Sequence, residues 1–371
     1  MTSRQAQLRI NLVLPHLKDQ IIGGYKIMYQ YANELDRLGH RVTVVHPIRD
    51  DAPLGPRSWT RWSRHWLDSR LRGRPPVKWF DFEPGVRFHV QPCASARLPE
   101  ADVTLLSGWQ TATARPVLSS ASGIAFQLVH DYEIWMDEPE LRPRISAAMR
   151  RPEIRRLVPS RAVGAMLTEI GTDWFAEVAD GLVEGDFAVD ADIRSRRPLV
   201  GFPWRDQESK DMATALEVAH LVRAAVPDAE IVCYGETRVP PAGVVALGRV
   251  SPDELRRFYN ECAVFLVTSR YEGFGLPALE AMRCGAALVT TRNGGVEDFA
   301  RPGDTALLAD VGAVAELSRH VVALLNDGPK RAELAERGVA AASRLTLGAS
   351  GRQIERLFAS AIERDVAPPP G

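Results

Sequence analysis

A chain of 371 residues is too long for one ordinary core and suits two domains. Its 46 Lys and Arg nearly balance 47 Asp and Glu, and a formal net charge of −1 excludes a protein whose main task is coating nucleic acid. Hydrophobic residues at 45% and charged residues at 25% match an ordinary soluble protein, and no run approaches the ~20 apolar residues of a spanning helix.

The polar opening Met1–Gln7 and the short apolar stretch behind it do not make a secretion signal, so the expected location is cytoplasmic. That stretch, Leu8–Leu14, reads as a buried strand ended by Pro15. A loop follows and closes with Gly23-Gly24. Tyr25–Leu38 then has helical periodicity, with Ile27, Met28, Tyr31, Leu35 and Leu38 on one side. Gly39 stops it, and Arg41–Val45 is the next strand, which makes a βαβ unit and hence a parallel sheet. Further strands are expected at Val103–Leu106, Ile124–Val129 and Val163–Leu167, with a helix at Thr172–Ala179. Periodicity fades from Val183 to Pro198, where a domain boundary is expected: residues 1–186 before it, 187–349 after it.

A second βα series begins there. Strands are expected at Leu199–Phe202, Glu230–Tyr234, Val244–Leu247, Val264–Val267, Ala287–Thr290 and Thr305–Leu308. Helices are expected at Lys210–Ala225, Pro252–Asn260, Pro277–Cys284, Ala313–Asn326 and Lys330–Ala342. A last amphipathic helix, 350–364, can pack back on the first domain, and a mobile Pro-rich tail, 365–371, ends the chain. The fold class is α/β, two doubly wound parallel sheets in tandem, with the ligand cleft at the carboxyl ends of the strands. Cys93, Cys233, Cys262 and Cys284 form no CxxC pair, each sits in or beside an apolar run, and no zinc site or disulfide framework is expected.

The segment Ser269-Arg-Tyr-Glu-Gly-Phe-Gly-Leu-Pro-Ala-Leu-Glu280 carries the most chemistry. A strand ends near Val267, a glycine turn follows, and Pro277 stands where a first helical turn begins. Such a turn points backbone N–H groups and the positive end of a helix at one anion. Glu272 and Glu280 bracket that site, and because a carboxylate repels a diphosphate, sugar hydroxyls are their natural partners. A plain strand-turn-helix with two solvated glutamates accounts for the same pattern.

The whole string resembles the EGFGxxxxE signature of retaining glycosyltransferases of the GT-B fold, family four, and the resemblance extends through most of the chain. It implies that Glu272 holds hydroxyls of the donor sugar and Glu280 the ribose of the nucleotide. Gly273, Phe274, Gly275 and Leu276 would then line the donor site. Gly294-Gly295 and Glu297 are similar to the family's GGxxE turn, without its usual proline before the glutamate. Arg205 and Lys210 resemble its basic pair for the diphosphate, although an Arg/Lys pair taken alone is more often surface solvation. Two fixed cations opposite a helix N-terminus can stabilise a departing diphosphate without a metal, so no metal and no cofactor are expected beyond the nucleotide diphosphate sugar as co-substrate.

In the first domain, Gly23-Gly24 resembles the glycine loop lining the cleft, or is a turn that only needs φ > 0. His130 ends a strand where family members carry a His near donor sugar and acceptor hydroxyl, with Asp131 beside it; a lone His is more often a core residue.

Trp59, Trp62 and Trp66 fall on one face of a hypothetical helix, and Arg57, Arg61, Arg64 and Arg72 on the other. Such a helix can touch an anionic membrane peripherally, on its inner face. A basic insertion whose tryptophans pack on the first domain, or which binds an anionic acceptor, fits the same residues.

The expected activity is transfer of a hexose or deoxyhexose from a nucleotide diphosphate, with retention, to a hydroxyl of a glycan, lipid-linked or small-molecule acceptor. No nucleic acid partner is expected. The alternatives are a nucleotide-sugar epimerase on the same fold, or a non-catalytic nucleotide-sugar-binding partner subunit. A dehydrogenase is disfavoured because no GxGxxG follows the first strand.

Overall fold

The computed structural model describes residues 6–17, 23–47, 60, 63–69, 75–92, 96–113, 118–130, 138–236, 240 and 242–366. Cys93, Asp131, the tail beyond residue 366 and residues 57–59, 61–62 and 70–74 lie outside the described residues. Within 57–78, residues 63–69 are helical.

Two parallel sheets organise the chain. The first has the order β3-β2-β1-β4-β5-β6-β7. Its strands are β1 Arg9–Val13, β2 Arg41–Pro47, β3 Arg87–Gln91, β4 Val103–Ser107, β5 Ile124–Leu128, β6 Ile154–Val158 and β7 Ala176–Glu177. The second, β10-β9-β8-β11-β12-β13, is built from β8 Leu199–Trp204, β9 Glu230–Gly235, β10 Val245–Ala246, β11 Val264–Val267, β12 Ala287–Thr291 and β13 Ala306–Ala309. The helices are α1 Gly23–Arg37, α2 Trp109–Thr113, α3 Arg142–Met149, α4 Arg161–Glu169, α5 Met212–Ala225, α6 Pro252–Glu261, α7 Leu276–Arg283, α8 Val314–Asn326, α9 Gly328–Ala342 and α10 Leu347–Val366.

Each sheet is covered on both faces, which is why its strands are continuous apolar runs. In β11, Val264 and Leu266 join one apolar cluster while Phe265 and Val267 join the cluster on the opposite face. In β1, Ile10 and Leu12 pack on one side and Val13 on the other. Strand order reverses between β1 and β4 and again between β8 and β11, so each sheet opens a crevice at the carboxyl ends of those strands.

The two domains are tied by a double crossing of the chain. Leu182 N–H donates to the Leu345 carbonyl and Leu347 N–H to the Leu182 carbonyl. A Cβ on Gly181 would stand 2.2 Å from the Thr346 carbonyl carbon, so only glycine lets the backbones approach. Helix α10 then lies against the first domain, where Leu347, Ile354, Phe358 and Ala361 complete its core.

Some elements differ from expectation. Val163–Leu167 is not a strand but part of α4, because Val163, Met166 and Leu167 are spaced for a buried helical face and Ser160 caps the start. The true strand is β6, disguised by Arg155 and Arg156. Arg156 is buried and donates to the Ala148 carbonyl at 2.8 Å. Thr172–Ala179 holds no helix; Ala176 and Glu177 pair with Leu157 and Val158 at the sheet edge. The helix expected from Lys210 starts at Met212, because Asp211 adopts φ 47° and accepts the Thr214 N–H as its cap. Edge strand β3 was not expected, although Arg87-Phe-His-Val-Gln91 alternates polar and apolar residues as a half-buried strand does.

Candidate active site

The carboxyl ends of the central strands of both sheets face one cleft of about 690 Å³. Gly23, Gly24 and Lys26 come to it from the start of α1, and His130 from just beyond β5. Arg205 and Lys210 follow β8, Glu272 follows β11, and Phe274, Leu276 and Glu280 belong to the turn and helix α7.

Lys210 and Glu272 form the centre of the second-domain wall. Lys210 Nζ is 3.1 Å from Glu272 Oε1, and Ser269 Oγ donates to the same oxygen at 2.6 Å. The loop under Lys210 is held by the Thr268 hydroxyl, which donates to the Lys210 and Asp211 carbonyls at 3.2 and 3.1 Å. Arg205 lies with its guanidinium 6.0 Å from the centre of the Tyr234 ring and donates from Nη1 to the Trp204 carbonyl at 2.9 Å.

Glu280 is held from behind. The buried Tyr259 hydroxyl donates to Glu280 Oε2 at 2.9 Å, which commits its only proton, so Tyr234 OH must donate across the 2.7 Å to Tyr259. Burial raises the Glu280 carboxyl above the usual glutamate range; Lys26, the Tyr259 hydrogen bond and Arg205 oppose that rise, and Asp186 adds to it. Asp186, also on the cleft, is raised by burial too. Lys26 reaches over from α1 with Nζ 5.9 Å from the centre of the Phe187 ring.

The glycines divide into two kinds. Gly275 (φ 97°) caps α7 in a left-handed conformation, and Gly294 (φ 91°) takes the same region. A Cβ on Gly295 would meet the Glu272 carbonyl oxygen and the Phe274 backbone at 2.7 Å, so the two loops pack backbone to backbone. Gly273, Gly275, Gly294, Gly295 and Glu297 therefore stand behind the cleft lining and shape it. The exposed Glu297 accepts from its own Gly294 N–H at 3.0 Å and is not brought into the cleft. Gly23 and Gly24 are not left-handed; they begin α1, and among the described residues nothing lies within 4 Å of a Cβ at either.

His130 is oriented by a partner that sequence inspection missed. Its Nε2 is 3.0 Å from Asp180 Oδ1, and the Asp180 side chain is only 3% exposed. Asp180 lies 50 residues away, so no local pattern announces it. Lys26 and Ser269 were within reach, two residues past Gly24 and three residues before Glu272. Among the described residues, no group of His, Cys, Asp and Glu could hold a metal ion, and no helix is long and apolar enough to cross a membrane.

Residues 187–340, less than half of the chain, match the family model described as glycosyl transferases group 1. An uncharacterized glycosyltransferase of Methanocaldococcus jannaschii is 37% identical over 92 residues, 25% of this chain and 26% of that protein. The chain thus spans about a quarter of the length of the curated relatives it matches. Among solved structures, sucrose-phosphate synthase from Thermosynechococcus elongatus superposes with a TM-score of 0.74 at 17% identity, covering 97% of this chain and 100% of that one. Anabaena HepE in complex with UDP and glucose superposes with a TM-score of 0.71 at 16% identity, covering 95% and 100%. The two domains share the GT-B fold of these neighbours.

Proposed function

We propose that this chain is a glycosyltransferase that takes a sugar from a nucleoside diphosphate and joins it, with retention, to a hydroxyl of a glycan, lipid-linked or small-molecule acceptor. In this reading residues 187–349 bind the donor and residues 1–186 face the acceptor. The observation that carries it is the convergence of Lys210, Arg205, Glu272 and Glu280 from one domain, and His130 from the other, on a single cleft.

The diphosphate sits on Arg205, Lys210 and the amino end of α7. Glu272 holds sugar hydroxyls and Glu280 the ribose. The bond from the anomeric carbon to the diphosphate oxygen breaks, its electron pair stays on that oxygen, and the two cations stabilise the charge. The acceptor oxygen attacks the same carbon from the same face and passes its proton to the leaving phosphate. No metal is needed for this step.

One observation favours a second reading. Asp180 orients His130 as it would a general base, and a His130 that deprotonates the acceptor from the opposite face would invert the anomeric centre. Product NMR with the donor that turns over separates the two: the anomeric coupling of the product shows retention or inversion. Asp180→Asn would then cost far more turnover in the inverting case.

A panel of UDP, GDP, dTDP and ADP sugars tests the class. A donor at 100 times its Kd adds about 2.7 kcal/mol of stability. A panel that neither stabilises the protein nor turns over rejects the reading. Peripheral membrane contact through 57–78 is tested by flotation with anionic vesicles; Arg64 and Leu67 are exposed on its described helix.

A further inference from the structure

The first turn of α4, supplied by the first domain, keys into the loops that shape the donor wall of the second. Ser160 is fully buried and its Oγ donates to the Gly273 carbonyl at 2.6 Å. The same oxygen accepts the Val163 N–H at 3.3 Å. Arg161 donates twice to Asp298, from its backbone N–H at 2.8 Å and from Nε at 2.6 Å. Ala162 Cβ lies 2.8 Å from where a Cβ on Gly294 would stand, so glycine is required for the approach. Gly273 follows Glu272, and Gly294 bridges to Glu272.

A helix cap alone needs only an acceptor, which Asp or Asn supplies as well as Ser. Position 160 also needs a donor, because it faces a carbonyl, and a carboxylate there would repel the Gly273 oxygen. The hydroxyl is thus matched to both tasks. It fixes the Gly273–Phe274 peptide plane, and the side chains of Glu272 and Phe274 on either side of Gly273 line the cleft.

We propose that Ser160 is a positioning residue for the donor site: through Gly273 it sets the turn that carries Glu272, so the nucleoside diphosphate sugar meets a correctly shaped wall only when α4 is seated. The Arg161–Asp298 contact holds α4 in that seat. This rests on the glycosyltransferase reading.

Calorimetry with UDP, GDP, dTDP and ADP identifies the tightest nucleotide, and that one is used with Ser160→Ala, Asp298→Ala and Lys210→Ala. Ser160→Ala should weaken its binding about fivefold, the worth of one hydrogen bond, and raise donor KM by the same factor while acceptor KM holds. Asp298→Ala should move donor KM in the same direction, and it decides the matter if the Ser160 variant does not fold. A purely structural role would lower Tm and leave the donor-to-acceptor KM ratio untouched. Wild-type nucleotide binding in the variants at 160 and 298, with Lys210→Ala impaired, overturns the proposal alone. No binding by the wild type overturns it together with the donor assignment.

Discussion

Lys210 Nζ and Glu272 Oε1 stand 3.1 Å apart, joining the loop after β8 to the turn after β11 across the point where strand order reverses. The Lys210 side chain is 16% exposed and that of Glu272 10%, so little solvent screens the pair. In the proposed function, a diphosphate arriving in the cleft would find the ammonium already placed by Glu272.

Lys210→Ala should therefore lower kcat/KM by about 10²- to 10³-fold, the usual cost of losing a charge aimed at a leaving group. Because the two side chains touch, the loss in the Lys210→Ala, Glu272→Ala double variant should fall short of the sum by about 1 kcal/mol or more. Steady-state kinetics on the four proteins measures this; full additivity would mean that the pair is not coupled during turnover.

Glu280 gives a pH signature. Its folded-state carboxyl is raised above the unfolded value, so its contribution to stability is whole at low pH and shrinks as pH rises through the folded value. Urea midpoints of Glu280→Gln relative to wild type should thus climb as pH rises from about 4. Donor affinity carries the opposite sign. Ribose hydroxyls donate best to the ionised carboxylate, so the Kd of the wild type should tighten over the same rise. A flat difference in midpoints would contradict the burial that raises this group.

Gly24 and Gly295 should separate function from packing. Among the described residues a Cβ at Gly24 meets nothing within 4 Å and would project from the first turn of α1, whose backbone there is not left-handed. Gly24→Ala should leave stability unchanged or raise it by up to ~1 kcal/mol while reducing turnover. Gly295→Ala drives a methyl into the Glu272 carbonyl and should cost about 1–3 kcal/mol. Thermal melts and kinetics on both variants check the contrast.

Phe358 tests the return of α10. The side chain is fully buried, its ring 4.8 Å from that of Phe126 under β5. Phe358→Ala should cost about 3–5 kcal/mol in denaturant unfolding, although the residue is 232 positions from Phe126 (358 − 126 = 232). A loss below 1 kcal/mol would mean that α10 is not part of this core.

Apolar runs such as Val264–Val267 and the glycine turn after them determined by themselves that the chain alternates strand and helix, and that a glycine turn stands before α7. These features are local: burial on two faces demands an unbroken apolar run, and a left-handed turn before a helix demands glycine at 275. The α4 region was misread because Val163, Met166 and Leu167 satisfy a short strand and a helical face alike, and only the Ser160 cap and the neighbouring β6 decide between them. Tertiary structure alone decided that Asp180 orients His130, that Tyr259 stands behind Glu280, that Glu297 turns back on Gly294, and that Ser160 reaches Gly273. Apart from the Glu297 turn, those contacts join residues 21 to 113 positions apart. Their pairing is set by how helices seat on two sheets and how the sheets face each other, which no window along the chain contains.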